Sequence, residues 1–121
     1  MPWEFKENRP IFQQIYDKIV LSIINGTYPM GSKLPSVREL AEQAGVNPNT
    51  MQRAMSNLEN EGLALTNRTS GRIVTTDEKR IAEVKLKYAQ KAAREYMQEM
   101  MLLGLSKEEA VEVLKEVETN E

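Results

Sequence analysis

The stretch from Leu34 to Glu61, LPSVRELAEQAGVNPNTMQRAMSNLENE, holds two helix start signals separated by a glycine, with no room for a long loop. Ser36 followed by Glu39 has the spacing of a capping box, in which a serine oxygen and a glutamate carboxylate each satisfy an orphan amide at the helix start. Asn47 followed by Pro48 marks a second start, because asparagine is a strong N-cap and proline fits the first helical position, where an N–H has no partner. Between them, Gly45 is free to take the left-handed conformation that ends a helix and turns the chain. Helices joined this tightly cross at a steep angle. That is the geometry of a helix-turn-helix, whose second helix is offered to the DNA major groove.

Each helix has an apolar stripe to bury: Val37, Leu40, Ala41 and Ala44 in the first, Met51, Ala54, Met55 and Leu58 in the second. Asn49, Thr50, Gln52, Arg53 and Ser56 are left on or beside the other face of the second helix. Asparagine and glutamine bind adenine edges in a bidentate manner and arginine binds guanine, each good pair being worth ~1–3 kcal/mol of discrimination. An ordinary solvated face would have the same polarity. The tight turn before this helix and the hairpin expected after it favour DNA readout.

From Pro10 to Val74 the segments LPSVRELA, GVNPNTMQRAM and LENEGL, followed by a glycine-bearing hairpin, resemble the winged helix-turn-helix domain of the GntR family of bacterial transcription regulators. The resemblance implies that Arg38, the arginine of the LPS-x-R segment, and the polar residues opening the second helix contact double-stranded DNA. Many larger members carry basic residues where this chain has Pro48 and Gln52; NPNT followed by Gln52 and Arg53 is more like the small YtrA-type members. The same likeness implies, as an expectation, that the controlled genes include a transporter operon and the gene of the chain itself.

The chain has 121 residues, a single-domain length, and contains no cysteine and no histidine. That removes disulfides, thiol nucleophiles, Cys/His metal sites and histidine bases together. No nucleophile-base pair, glycine-rich phosphate loop or metal-ligand cluster replaces them, so neither an enzyme nor a cofactor is expected. The opening MPWEFKENRP is charged and no stretch approaches the ~20 apolar residues that span a bilayer, which implies a cytoplasmic protein without membrane contact. The net charge of −2 runs against the basic balance usual in a DNA binder. The acid is uneven, however: residues 1–76 carry 8 Lys+Arg against 7 Asp+Glu, and residues 77–121 carry 8 against 11. A basic face can coexist with an acidic rear, because phosphate responds to charge within a Debye length of ~8–10 Å.

Residues 1–9 read as an arm, with Trp3 and Phe5 available to pack back. Ile11, Ile15, Ile19 and Ile23, flanked by Phe12, Tyr16, Val20 and Ile24, predict an amphipathic helix opened by Pro10 and ended by Asn25-Gly26. Tyr28 to Gly31 is a turn, and Gly31 to Leu34 a lead-in to the capped helix. Residues 63–66 and 72–75 read as short strands around the turn Asn67 to Gly71, forming a wing. Arg68 and Arg72 flank its tip, and Gly71 permits close approach to a sugar-phosphate backbone or minor groove. A plain surface hairpin is the competing reading.

From Asp77 to Gly104 the period is helical, and Ala82, Leu86, Ala89, Ala93, Tyr96, Met100 and Leu103 form an a/d-like seam. Lys79, Arg80, Lys85, Lys87, Lys91 and Arg94 cover the rest, as a solvated face or within reach of phosphate. Ser106 with Glu109 is a further capping box, opening a helix with Ala110, Val111, Leu114 and Val117 as its stripe. Neither helix buries its apolar face alone. They are expected to pair as a helical hairpin that completes its packing against the DNA-binding domain and a second copy.

The sequence therefore predicts a mostly α protein with a small β-hairpin: a winged helix-turn-helix over residues 1–76 and a two-helix dimerisation element over 77–121. The expected function is sequence-specific DNA binding as a homodimer, repressing transcription from an imperfect inverted-repeat operator. The competing function is a winged-helix protein-interaction module without DNA affinity. The expected DNA-contacting set is Ser36, Arg38, Asn47, Asn49, Thr50, Gln52, Arg53, Arg68, Gly71 and Arg72, and the expected dimer set Leu86, Ala89, Ala93, Tyr96 and Met100. No metal site is expected, and nothing in the residues identifies an effector ligand.

Overall fold

In a computed structural model, which describes residues 2–117, the first helix is α1 (Ile11–Ile24), with Pro10 as its N-cap. It buries Ile15, Tyr16, Ile19, Val20 and Ile23; Ile11, first of the expected stripe, stays largely exposed because it lies in the opening turn. Next come α2 (Val37–Ala44) and α3 (Pro48–Asn60). Both bonds of the capping box are made: the Glu39 amide donates to Ser36 Oγ at 3.1 Å and the Ser36 amide to Glu39 Oε1 at 2.9 Å. Gly45 ends α2 at φ 73°, the left-handed region the turn demands. Asn47 then caps α3, its Oδ1 accepting from the Asn49 amide at 2.7 Å. Leu40, Ala41 and Ala44 of α2 and Met51, Ala54, Met55 and Leu58 of α3 are buried, so the three helices share one core.

The wing is an antiparallel pair, β1 (Ala64–Asn67) and β2 (Gly71–Val74), with Thr66 opposite Arg72 and Asn67 opposite Gly71. These spans are displaced by one residue from the expected strands; outside them Thr75 and Leu63 still join through a 3.0 Å bond from the Thr75 amide to the Leu63 carbonyl. At the tip, Asn67 Oδ1 accepts from the Thr69 and Ser70 amides at 3.0 and 3.3 Å. The lead-in to α2 does more than connect. Leu34 donates its amide to the Arg72 carbonyl, Gly31 donates to Val74, and Val74 donates to Ser32, each at 2.9 Å, so this segment lines the far edge of β2. A two-stranded hairpin is marginal alone, and the added edge anchors it to the domain.

The arm packs back, as its aromatic residues suggested. The Trp3 amide donates to the Ala44 carbonyl at 3.2 Å, satisfying an end carbonyl of α2, and the Lys18 ammonium lies 4.8 Å from the Trp3 ring centre. Lys6 and Gln14 exchange two hydrogen bonds of 2.7 and 2.8 Å, and Arg9 pairs with Asp17 at 2.7 Å.

The chain divides into two compact units, Met1–Ala82 and Glu83–Glu121. The division falls inside α4 (Glu78–Leu102). Its first turns belong to the winged unit because Arg80 Nε donates to the Glu61 carbonyl at 2.6 Å and its guanidinium pairs with the Glu61 carboxylate at 3.0 Å. In the second unit, Gly104 (φ 85°) lets the chain reverse into α5 (Lys107–Glu116), opened by the expected Ser106/Glu109 box. The Tyr96 hydroxyl donates to the Ala110 carbonyl at 2.7 Å, fastening the two helices. Residues 118–121 of the expected 77–121 element lie outside the described residues.

Candidate nucleic-acid interface

The stripe of α3 that packs inward fixes which side chains it leaves outside. Asn49, Gln52 and Arg53 are exposed and Thr50 is half-buried, all within the first turns after the Asn47 cap. The Gln52 amide donates to Ser56 Oγ at 3.1 Å, which orients it along the helix. Arg53 lies with its guanidinium carbon 3.9 Å from the ring centre of Phe12, in the first turn of α1. Such stacking holds a guanidinium by its face and leaves its N–H donors at the rim, where they bind phosphate or a base edge. Ser36 and Asn47 spend side-chain oxygens on their caps, and both residues are exposed, as is Arg38.

Between the start of α2 and the wing lies an open cleft of about 350 Å³ whose lining includes Lys33, Ser36, Thr69, Ser70, Gly71 and Arg72. The fold thus brings the LPS-x-R segment and the wing together, although more than thirty positions separate Ser36 from Arg72. Gly71, at φ 81°, sits where β2 begins, and Arg68 is exposed at the tip. Arg72 flanks the tip as its spacing indicates, opposite Thr66, and its Nε donates to Glu59 Oε1 of α3 at 2.6 Å. Glu59 Oε2 accepts from Thr66 Oγ1 at 2.7 Å, and the Thr66 bond, with Arg72 beside it, holds the Glu59 carboxyl below its ordinary range. Glu39 is likewise lowered, first by the Ser36 backbone bond of the capping box.

Sequence reasoning missed Glu59, Thr66 and Phe12. Glu59 and Phe12 stand on amphipathic helices where acids and aromatics are commonplace, and only their long-range partners distinguish them. Of the expected basic cluster on α4, Arg80 is tied into the fold by Glu61. Of the expected dimer set, Leu86 is 57% exposed and Ala89 and Ala93 are exposed, whereas Met100 is buried and Tyr96 is half-buried with its hydroxyl committed to Ala110. Among the described residues no group of acids is arranged to hold a metal ion, and no helix is long and apolar enough to cross a membrane.

Residues 11–74 match the family described as bacterial regulatory proteins, gntR family. The chain belongs to the GntR family. The regulator is 38% identical over 112 residues to YhcF of Bacillus subtilis (strain 168), described as an uncharacterized HTH-type transcriptional regulator, covering 93% of each chain. With YtrA of the same bacterium, described as an HTH-type transcriptional repressor, it shares 31% identity over 113 residues, covering 93% of this chain and 87% of YtrA. Among solved structures, a GntR family transcriptional regulator from Listeria monocytogenes superposes with a TM-score of 0.86 at 39% identity, covering 94% of this chain and 100% of that one. The regulator is therefore a small, YtrA-like GntR transcription regulator with a winged helix-turn-helix DNA-binding domain. Its relatives are regulators, not enzymes.

Proposed function

We propose that the regulator acts in the cytoplasm as a homodimer that occupies an imperfect inverted-repeat operator and represses transcription there. The observation that carries the reading is the outer face of α3, where Asn49, Gln52 and Arg53 are exposed directly behind a capped helix start. In this reading those side chains take base edges in the major groove, while Arg38 and Arg68, together with the terminal nitrogens of Arg72 beyond its bond to Glu59, take phosphate. Residues 1–76 supply the DNA contact and residues 77–121 the dimer. Support for the dimer comes from the second unit's surface: Leu86, Met101, Leu102, Leu103 and Leu114 are all more than half exposed in one chain, and clustered exposed apolar side chains mark interaction surfaces. The repressor sign has support in the naming of YtrA.

Selecting bound fragments from genomic DNA tests the whole reading. The expected product is a shared inverted repeat whose half-sites lie one or more helical turns apart, bound with a steep fall in affinity as salt rises. Failure to enrich any sequence, with no salt dependence, would instead make the chain a protein-interaction module on a winged-helix scaffold.

A further inference from the structure

Glu59 places a negative charge on the helix that faces DNA, where it repels phosphate unless something offsets it. Gln52, Ser56 and Glu59 recur at helical spacing, so the carboxylate continues the outer face of α3 toward its C-terminal end. Both of its oxygens are occupied by the wing: Oε1 accepts from Arg72 Nε at 2.6 Å and Oε2 from Thr66 Oγ1 at 2.7 Å. Thr66 and Arg72 face each other across the hairpin ladder. One carboxylate therefore grips one rung of the wing from both strands, while the segment before α2 holds the far edge of β2. With one edge fixed and the hairpin otherwise marginal, the tilt of the wing on α3 depends on this second attachment.

We propose that Glu59 is a positioning residue for DNA binding: it sets the wing on the recognition helix so that Arg68 at the tip meets the DNA backbone when α3 enters the groove. The inference rests on the reading that the wing touches DNA. It gives the acid beside the interface a role and accounts for the bond from Arg72 to the helix.

The test is Glu59→Gln in the full chain, titrated against operator DNA over a series of salt concentrations beside Arg68→Ala and the double variant. On charge alone, removing an acid near phosphate strengthens binding at every sequence, so the electrostatic effect and the positioning effect have opposite signs. The expected result is a roughly five- to tenfold loss of affinity and a fall of about one unit in the slope of log K against log salt, the order of one lost phosphate contact. Arg68→Ala gives a similar loss, and the double variant loses little more than either. Unchanged or tighter binding by Glu59→Gln, or losses that add in the double variant, overturn the inference while leaving the wing contact standing. If Arg68→Ala is itself without effect, the Arg68 contact and the inference fall together. Thr66→Val, on an exposed strand position, removes one of the two bonds without touching charge; it is expected to reproduce the same loss at smaller size, and full affinity there also overturns the proposal.

Discussion

Arg53 is held by Phe12 before any DNA arrives, and preorganisation of this kind lowers the side-chain entropy lost on binding. Arg53→Ala or Asn49→Ala is expected to cost ~1–3 kcal/mol on the operator and to flatten discrimination at particular base pairs, measured by competition among operator variants. A uniform loss across all sequences would instead place Arg53 on phosphate. Phe12→Leu keeps an apolar contact and removes the ring, so its effect on binding should vanish in the Arg53→Ala background. Glu59 gives a prediction in pH. Its folded-state pKa lies below the ordinary 4.5 because the Thr66 hydroxyl and Arg72 favour the charged form. A depressed carboxylate contributes stability that is fully present above its unfolded value and lost as pH falls through the folded one. Thermal unfolding should therefore show wild type above Glu59→Gln at neutral pH, with the gap closing only as pH falls below about 4.5. The gap should be small, since the pair is partly exposed and screened by solvent. A gap that persists unchanged into acid would mean that the ion pair is not its source.

The elements set by local chemistry were the ones legible from sequence. Two capping boxes, an asparagine-proline start and Gly45 define the ends of α2, α3 and α5, because each requires a specific residue type at a fixed offset. Asn47→Ala should cost about 1 kcal/mol in chemical denaturation, the usual worth of an N-cap. A larger drop in operator affinity than in stability would show that the Asn47 amide also touches DNA. What stayed hidden was long-range pairing. Nothing in Gly31 to Leu34 reads as strand, yet its amides line β2, and the one-residue displacement of the hairpin reflects Asn67 closing the turn through its own side chain. The arm was legible as an arm, but its docking on the Ala44 carbonyl was not. Pro2 lies so close to Gly45 that a Cβ there would stand 2.9 Å from it, a second reason, beyond its φ, why glycine belongs at the turn.

At the scale of the molecule, the seam read from α4 divides into two kinds of surface. Tyr96 and Met100 are used within the helical hairpin, where α5 returns alongside, whereas Leu86, Ala89 and Ala93 remain open to solvent. A periodicity of apolar residues says that a stripe is covered, without saying by which chain, and here a ten-residue α5 is too short to cover a 25-residue α4. In the proposed dimer, the open half is the part that a second copy would occupy. Because Ala93 is exposed in the single chain, Ala93→Asp adds a charge that water solvates, so the protomer should still fold, its melting at low concentration lowered only by the ~0.7 kcal/mol or less that aspartate costs in a helix interior. In a dimer the same carboxylate would be stranded in an apolar contact, at a cost of several kcal/mol. Dissociation would remove the linkage that makes the second half-site contact intramolecular, which raises avidity by ~10²–10⁴. Ala93→Asp is therefore expected to run as a monomer in light scattering and to bind a single half-site as wild type does, while losing roughly that factor on the full operator. If it stays dimeric at full affinity, the face of Leu86, Ala89 and Ala93 is not the interface, and the exposed leucines around the α4–α5 turn become the surface to mutate next.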